Sequence, residues 1–422
     1  MPHRRLPVRP DLAAITGEVD ALVHGMLAGD AGALLEWREH HPAPTAPPIP
    51  TLEDARLVIA RAYQAPDWPR LVHACTLADA IWHDDVAQVQ QLIVERPAAV
   101  HEPTLLRTDS NWGPPMTYAA NLGRDRIIEL LHAMGARDLA TALDRAALQG
   151  QVSTARMLHR LLGSPPPPEG ALGGPAYTLS VGGTQLLLEL GASVRGADGA
   201  RLAPVDVVLE PDSRKPEAKH RILELYVEHG LELPDTPVMA LHRGRIDLLE
   251  EHFARDPLLL SRRFRHEEIY PPELGCHDEV QATQGTPLAG TTLLHLCADY
   301  DELEIAEWLI ARGMDVNLTA EVDADGFGGH TALFGTVVSQ PAFWMNYGGQ
   351  AQVAPFTELF LSHGANPNVR ASIRKQLHPG YGNHPLREYR DVTALSWGRR
   401  FEEKVFVSEP AMRLIEAAGG LP

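Results

Sequence analysis

The stretch from Gly290 to Asn317 constrains this chain more than any other, because it spells two short helices and their punctuation in order. Gly290-Thr291-Thr292-Leu293-Leu294-His295-Leu296-Cys297-Ala298 opens on a hydroxyl residue and runs into an apolar segment. Thr292 is placed to cap that first helix, its side-chain oxygen accepting from an amide of the opening turn. Cys297 and Ala298 are small, which lets a neighbouring helix approach closely. Ile305, Trp308 and Leu309 then recur at i, i+3, i+4 spacing, the mark of a second amphipathic helix. Arg312-Gly313-Met314-Asp315-Val316-Asn317 closes the unit, with Gly313 supplying the left-handed residue that ends a helix. Two helices this short cannot bury their apolar faces alone, so units of this kind must stack on one another.

The same grammar recurs along the chain. Pro115-Met116-Thr117-Tyr118-Ala119-Ala120 with Gly123, Ile127, Leu130-Leu131 and Gly135-Ala136 is one good copy. Shorter ones follow at Ala146–Leu162, Thr184–Ala192, Pro204–Gly230 and Pro237–Leu249, and further copies start at Gly329-His330-Thr331 and at Val392-Thr393-Ala394-Leu395. This resembles the ankyrin repeat, whose signature runs G-x-T-P-L-H-x-A-A, then V-x-x-L-L, then G-A-x-x-N. Leu293 stands where the family usually has Pro, and Asp301 where it usually has Gly. The resemblance implies an all-α fold: an ankyrin-repeat solenoid of stacked antiparallel helix pairs joined by short β-turn loops. It also implies that His295, at the family's His position, bonds backbone in the adjacent turn.

About nine units are expected over 75–422, degenerate around 163–235. Residues 1–74 are expected to form a helical N-terminal cap. There Thr51 to Ala60 has a capping-box start, and Asp67-Trp68-Pro69-Arg70-Leu71 is similar to a flank found in bacterial ankyrin-repeat proteins.

Composition narrows the function. A formal charge of −18 argues against a general nucleic-acid binder, which needs a basic face. Three cysteines without CxxC spacing give neither a disulfide framework nor a zinc knuckle, and suit a reducing cytoplasm. The basic N-terminal stretch lacks an apolar core, so no secretory leader is expected. No apolar run approaches the length of a membrane span.

Chemistry is sparse. Glu321-Val322-Asp323-Ala324-Asp325-Gly326 looks like part of a calcium loop but lacks the later ligands, including the bidentate Glu. Cys276-His277-Asp278 sets three ligands in a row, which adjacent positions do not easily direct at one ion. Gly326-Phe327-Gly328-Gly329 has no P-loop lysine and is expected to shape the hairpin before Thr331. His330, His378 and His384 with Asp323, Asp325 and Glu388 would have to converge for a catalytic or metal site, which spacing alone does not establish. Neither a metal, a cofactor nor a catalytic residue is assigned.

Function in repeat stacks usually lies in the departures from regularity. Three stand out: the Pro/Gly stretch 163–175, the loop 260–288 and the insert 339–356. In the last region 33 residues separate Thr331 from Gly364, against 21 between Thr292 and Gly313. Its aromatic residues Phe343, Trp344 and Tyr347, together with His330 and Tyr300, are the candidates for partner contact. The expected function is a non-catalytic protein–protein interaction scaffold using the repeat surface and this insert. The alternative is a small-molecule-binding or enzymatic repeat protein, with a pocket between the insert and neighbouring loops.

Overall fold

The computed structural model describes residues 4–43, 50–210, 214–277, 285–338, 352–376 and 385–422. It divides into two compact units, 1–166 and 167–422, with the boundary inside the Pro/Gly stretch.

The first unit begins with α1 (Leu12–Leu27), α2 (Ala31–His40) and α3 (Leu52–Ala62). Asp11, Asp30 and Thr51 cap these helices through their side chains, satisfying amides that a helix start leaves unpaired. An extended segment before α1 is tied down by Arg4, which pairs with Glu18 and Glu36. The Tyr118 hydroxyl donates to the Val8 carbonyl at 2.6 Å, fastening that segment to the repeats. Three helix pairs follow: α4 (Trp68–Trp82) with α5 (Val86–Glu95), α6 (Pro115–Asn121) with α7 (Asp125–Ala133), and α8 (Leu139–Leu148) with α9 (Val152–Leu161). First helices pack on first helices and second on second, as α4 on α6, α6 on α8 and α5 on α7.

The second unit carries six more pairs among its described residues. They are α10 (Gly173–Tyr177) with α11 (Val181–Glu189), α12 (Val205–Leu209) with α13 (Pro216–Glu228), and α14 (Pro237–His242) with α15 (Ile246–Arg255). After the single turn α16 (His266–Ile269) come α17 (Leu293–Tyr300) with α18 (Leu303–Ala311), then α19 (Ala332–Val337) with α20 (Pro355–Ser362). The hairpin β1 (Ala371–Lys375) and β2 (Arg387–Val392) precedes the last pair, α21 (Ala394–Arg400) with α22 (Glu409–Ala417). The two strands pair antiparallel in a two-stranded sheet. The fold is a stack of helix pairs, as the repeat grammar requires; the strand pair 371–375/387–392 is the regular element that grammar does not predict.

Position in the stack explains composition. Every residue of α17 is buried, because α14 packs on one side and α19 on the other. A helix covered all round must be apolar or internally satisfied. Burying Leu293, Leu294 and Leu296 contributes about 1.5–3 kcal/mol each. The second helix α18 buries only Ile305, Ala306 and Leu309. Its Trp308 is half-buried, edge-on to Phe253 and under the Arg312 guanidinium at 3.8 Å.

Unit endings interlock with the next repeat. Gly313 has φ +92 and turns the chain out of α18. Asp301 fills the family's glycine position at φ +63, a left-handed conformation that Asp tolerates better than most residues. Asn317 donates to the Gly364 carbonyl at 3.0 Å and accepts from the Asn366 amide at 2.7 Å. Asn368 repeats the device one unit later, with Gly419 and Leu421.

All three cysteines are buried, and none forms a disulfide among the described residues. Cys297 is fully buried in α17, and burial raises its thiol well above the ordinary value. A thiol reagent should therefore leave the folded chain unlabelled and react only as it unfolds. Cys297→Ala should cost no more than about 1–2 kcal/mol in a urea titration, since Ala is what most repeats place there. A larger loss would show that the sulfur fills space the repeat cannot collapse into.

Candidate functional site

Two constellations in the second unit gather polar side chains. One is internal and centres on Tyr300; the other lies along the loop edge.

The internal cluster is built where α13, α14 and α17 meet. Arg214, just ahead of α13, donates to the Asp299 carboxylate and to its backbone carbonyl, both at 2.9 Å. Lys219 Nζ lies 2.8 Å from Glu302 Oε1, and His220 Nε2 lies 2.7 Å from the same oxygen. Arg214 and Lys219 also sit over the Tyr300 ring at 4.6 and 4.5 Å. The Tyr300 hydroxyl donates to the Leu209 carbonyl at 2.9 Å and lies 3.1 Å from the Tyr270 hydroxyl.

Burial sets the protonation of this cluster. Burial, the largest influence, opposes the Arg214 charge, but the Asp299 carboxylate, Tyr300 and Tyr270 together outweigh it and raise the guanidinium above its ordinary value. Burial likewise tends to raise the Glu302 carboxyl, yet Lys219 and His220 hold it below its ordinary value. His242 is pushed well below its ordinary value by burial and then by Lys219 and Arg214, so it remains neutral. Charges here face each other. Tyr300 is 2% exposed and Lys219 is 2%, so Tyr300 offers no surface to a partner. Its role is that of a pillar between repeats.

His330 is likewise internal, at 3% exposure. It belongs to a relay that joins successive loops. His295 Nδ1 meets the Thr292 hydroxyl at 3.0 Å, and His295 Nε2 donates to the His330 carbonyl at 3.1 Å. His330 Nε2 in turn donates to the Pro287 carbonyl at 3.0 Å. This is the backbone-bonding role the resemblance implies for His295. Burial pushes His295 down to about 3 and His330 to about 4.

The loop edge continues that relay. Phe264 exchanges backbone hydrogen bonds with Thr291 and Gly290, and the Glu321 amide donates to the Gly290 carbonyl at 2.8 Å. The Ala320 amide donates to the His330 carbonyl, and Gly328 and Ser372 bond each other across to β1. A side chain at Gly328 would collide with the Glu321 carbonyl, 1.8 Å from the Cβ position, so glycine is required there. Successive loops thus form one hydrogen-bonded ribbon from Phe264 to β2.

Side chains on the ribbon are held in place. Asp323 Oδ1 accepts from the Asp325 and Phe327 amides, shaping the hairpin that the Gly-rich sequence suggests. Asp323, Asp325 and Glu388 converge, but on Arg374 rather than on His330. Arg374 and Arg390 both lie on the Phe327 ring, at 3.8 and 4.2 Å. A cleft of about 390 Å³ opens among Arg265, Glu321, Phe327, His330 and Arg374. Phe343, Trp344 and Tyr347 lie outside the described residues, as do His378 and His384. Sequence reasoning missed Arg374, Arg390 and Phe327. The alternation of Ile373 and Lys375 against Tyr389 is the signal that would have revealed the hairpin carrying the arginines.

Two outcomes test this description. Glu302→Gln leaves Lys219 buried without its carboxylate, and should cost about 3–5 kcal/mol in urea unfolding; a change below about 1 kcal/mol would contradict the buried pair. The histidines set a pH dependence. Their folded pKa values lie below the unfolded value near 6.5, so their stabilisation is complete above that pH. It falls as pH drops from about 6.5 toward 4, by up to about 1.4 kcal/mol per pH unit for each histidine. The urea midpoint should therefore be lower at pH 5 than at pH 7, with a shallower loss in His330→Gln.

Residues 289–321 match the family model of the ankyrin repeat. No curated protein matches the sequence. Among solved structures, the crystal structure of the human ASB11 ankyrin repeat domain is similar at 15% identity and a TM-score of 0.26. That similarity covers 73% of this chain and 99% of the human one. Ankyrin repeats are generally protein–protein interaction modules. No helix among the described residues is long and apolar enough to cross a membrane. Residues 289–321 are thus an ankyrin repeat, stacked between helix pairs of the same build.

Proposed function

We propose that this protein is a non-catalytic binding scaffold, acting in the cytoplasm without a cofactor, whose contact surface is the loop edge of the second unit. The observation that carries this reading is the ribbon: loops of successive repeats bond to one another and hold exposed side chains in fixed places. Val322, Asp325 and Arg390 are exposed along it. Ordering cost is a main debit in association, and an edge ordered before binding avoids much of it. The aromatic insert 339–356 follows α19, its last two residues, Pro355 and Phe356, opening α20. Phe343, Trp344 and Tyr347 are of the residue types that dominate binding hot spots. The buried Tyr300 and His330 support the surface from beneath.

Affinity capture from a native extract, quantified by mass spectrometry, tests the reading. Val322→Asp and Arg390→Glu should each lower recovery of the specific partner at least tenfold, about 1.4 kcal/mol. Glu304→Lys and Glu307→Lys, exposed on the outer helix α18, should leave recovery unchanged. Trp344→Ala and Tyr347→Ala should weaken binding by about 2 kcal/mol or more while leaving the melting temperature in place. Recovery that survives the loop variants but falls with the outer-helix ones would move the surface to the opposite face.

A further inference from the structure

The cleft on the loop edge has unspent hydrogen-bonding capacity of one kind. His330 Nε2 carries its proton to the Pro287 carbonyl at 3.0 Å, so the lone pair of the neutral ring is on Nδ1. That Nδ1 is buried and has no partner among the described residues, while the residue itself lines the cleft. A buried acceptor without a donor costs about 1–3 kcal/mol, which a ligand's donor would recover.

Glu321 lines the same cleft, one residue along from Ala320, whose amide bonds the His330 carbonyl. The Glu321 side chain is exposed and forms no ion pair or hydrogen bond among the described residues. It leans over Gly290, where an added Cβ would come within 2.9 Å of the Glu321 Cβ, so the bare glycine makes its room.

The other charges of the wall are already engaged. Arg374 serves Asp323, Asp325 and Glu388, and Arg265 serves Glu267 and Glu268. Asp323 spends its second oxygen on the Asp325 and Phe327 amides. His266, also in the wall, is itself engaged; what remains among the described residues is the Glu321 carboxylate and an imidazole lone pair, both acceptors. An anion would meet repulsion from Glu321 and nothing to donate from His330. A cationic donor satisfies both.

We propose that this cleft receives the side chain of a lysine or arginine borne by a basic segment of the partner protein. The inference rests on the loop-edge reading and names the chemistry of its partner. The formal charge of −18 adds a long-range attraction for a basic segment. Burial keeps His330 near 4, so at neutral pH its ring is the acceptor the site needs.

Hexalysine is the probe, titrated into the full chain by calorimetry at moderate salt, with hexaglutamate as the opposite-charge control. Hexalysine should bind and hexaglutamate should not. Glu321→Gln, an exposed change that leaves the backbone bonds in place, should weaken hexalysine at least fivefold, whereas Glu304→Gln should not. In ¹⁵N spectra of the histidine rings, the His330 Nδ1 resonance should move on binding. Absence of hexalysine binding overturns the proposal. So does equal binding by wild type and Glu321→Gln, which would mean diffuse attraction to an acidic protein. So does a His330 resonance that stays still while hexalysine binds. The two levels separate cleanly in the capture experiment. If Val322→Asp loses the partner and Glu321→Gln keeps it, the loop edge stands and this site fails; if neither changes recovery, the loop-edge reading itself fails.

Discussion

Each repeat helix is too short to be stable alone, and everything else in this protein follows from that. Helix formation has a costly nucleus, and segments of eight or nine residues such as α17 and α18 do not repay it in water. Stacking supplies the missing stabilisation by covering α17 on both sides. It also fixes where each loop emerges, because loops can only follow the spacing of the helices beneath them. The side chains that close the joints are few and polar. His295 reaches the next loop's carbonyl, and Asn317 and Asn368 reach the next unit's turn. Each makes a bond across a repeat boundary that apolar packing could not orient.

The cluster around Tyr300 performs a different task. Apolar contacts between similar helices would tolerate sliding by a turn, whereas Lys219 has one place to set its charge. Buried ion pairs contribute little net stability because desolvation opposes the attraction, but breaking one is expensive. The arrangement of Arg214 with Asp299 and Lys219 with Glu302 therefore selects one register of α13 against α17. That register carries through α17 to Thr292 and His295, and from there to the loop edge. Rigidity at the surface is thus prepared in the interior.

Much of this was legible in the sequence, and the boundary of legibility is physical. The unit 290–317 could be read because its signals are local: a cap, a period, a small residue, a turn. His295 was readable for the same reason, through the family position it occupies. Tyr300 suggested partner contact by residue type, and type does not report burial; His330 was singled out for its place in the loops, and its burial was not evident. Comparison with the matched unit would have helped, since His330 stands in its repeat where Thr291 stands in the previous one, and Thr291 is fully buried. The Lys219–Glu302 pair was not readable, because its members lie in different repeats and no local pattern marks which acid will meet which base. Of the convergence at Arg374, the acids Asp323, Asp325 and Glu388 could be named from the sequence, but not the base they meet. The aromatic insert could be recognised by its length and composition; Phe343, Trp344 and Tyr347 lie outside the described residues.

The account turns on the loop edge being ordered before any partner arrives. Hydrogen exchange of the free protein measures this directly, at the amides of Phe264, Ala320, Glu321 and Gly328, each bonded to a carbonyl of another loop segment. The account predicts that these amides exchange slowly, with protection approaching that of α17 and lost together with it in denaturant. Exchange on the timescale of an unstructured peptide, while α17 stays protected, would contradict it: the stack would then be rigid and its edge would not.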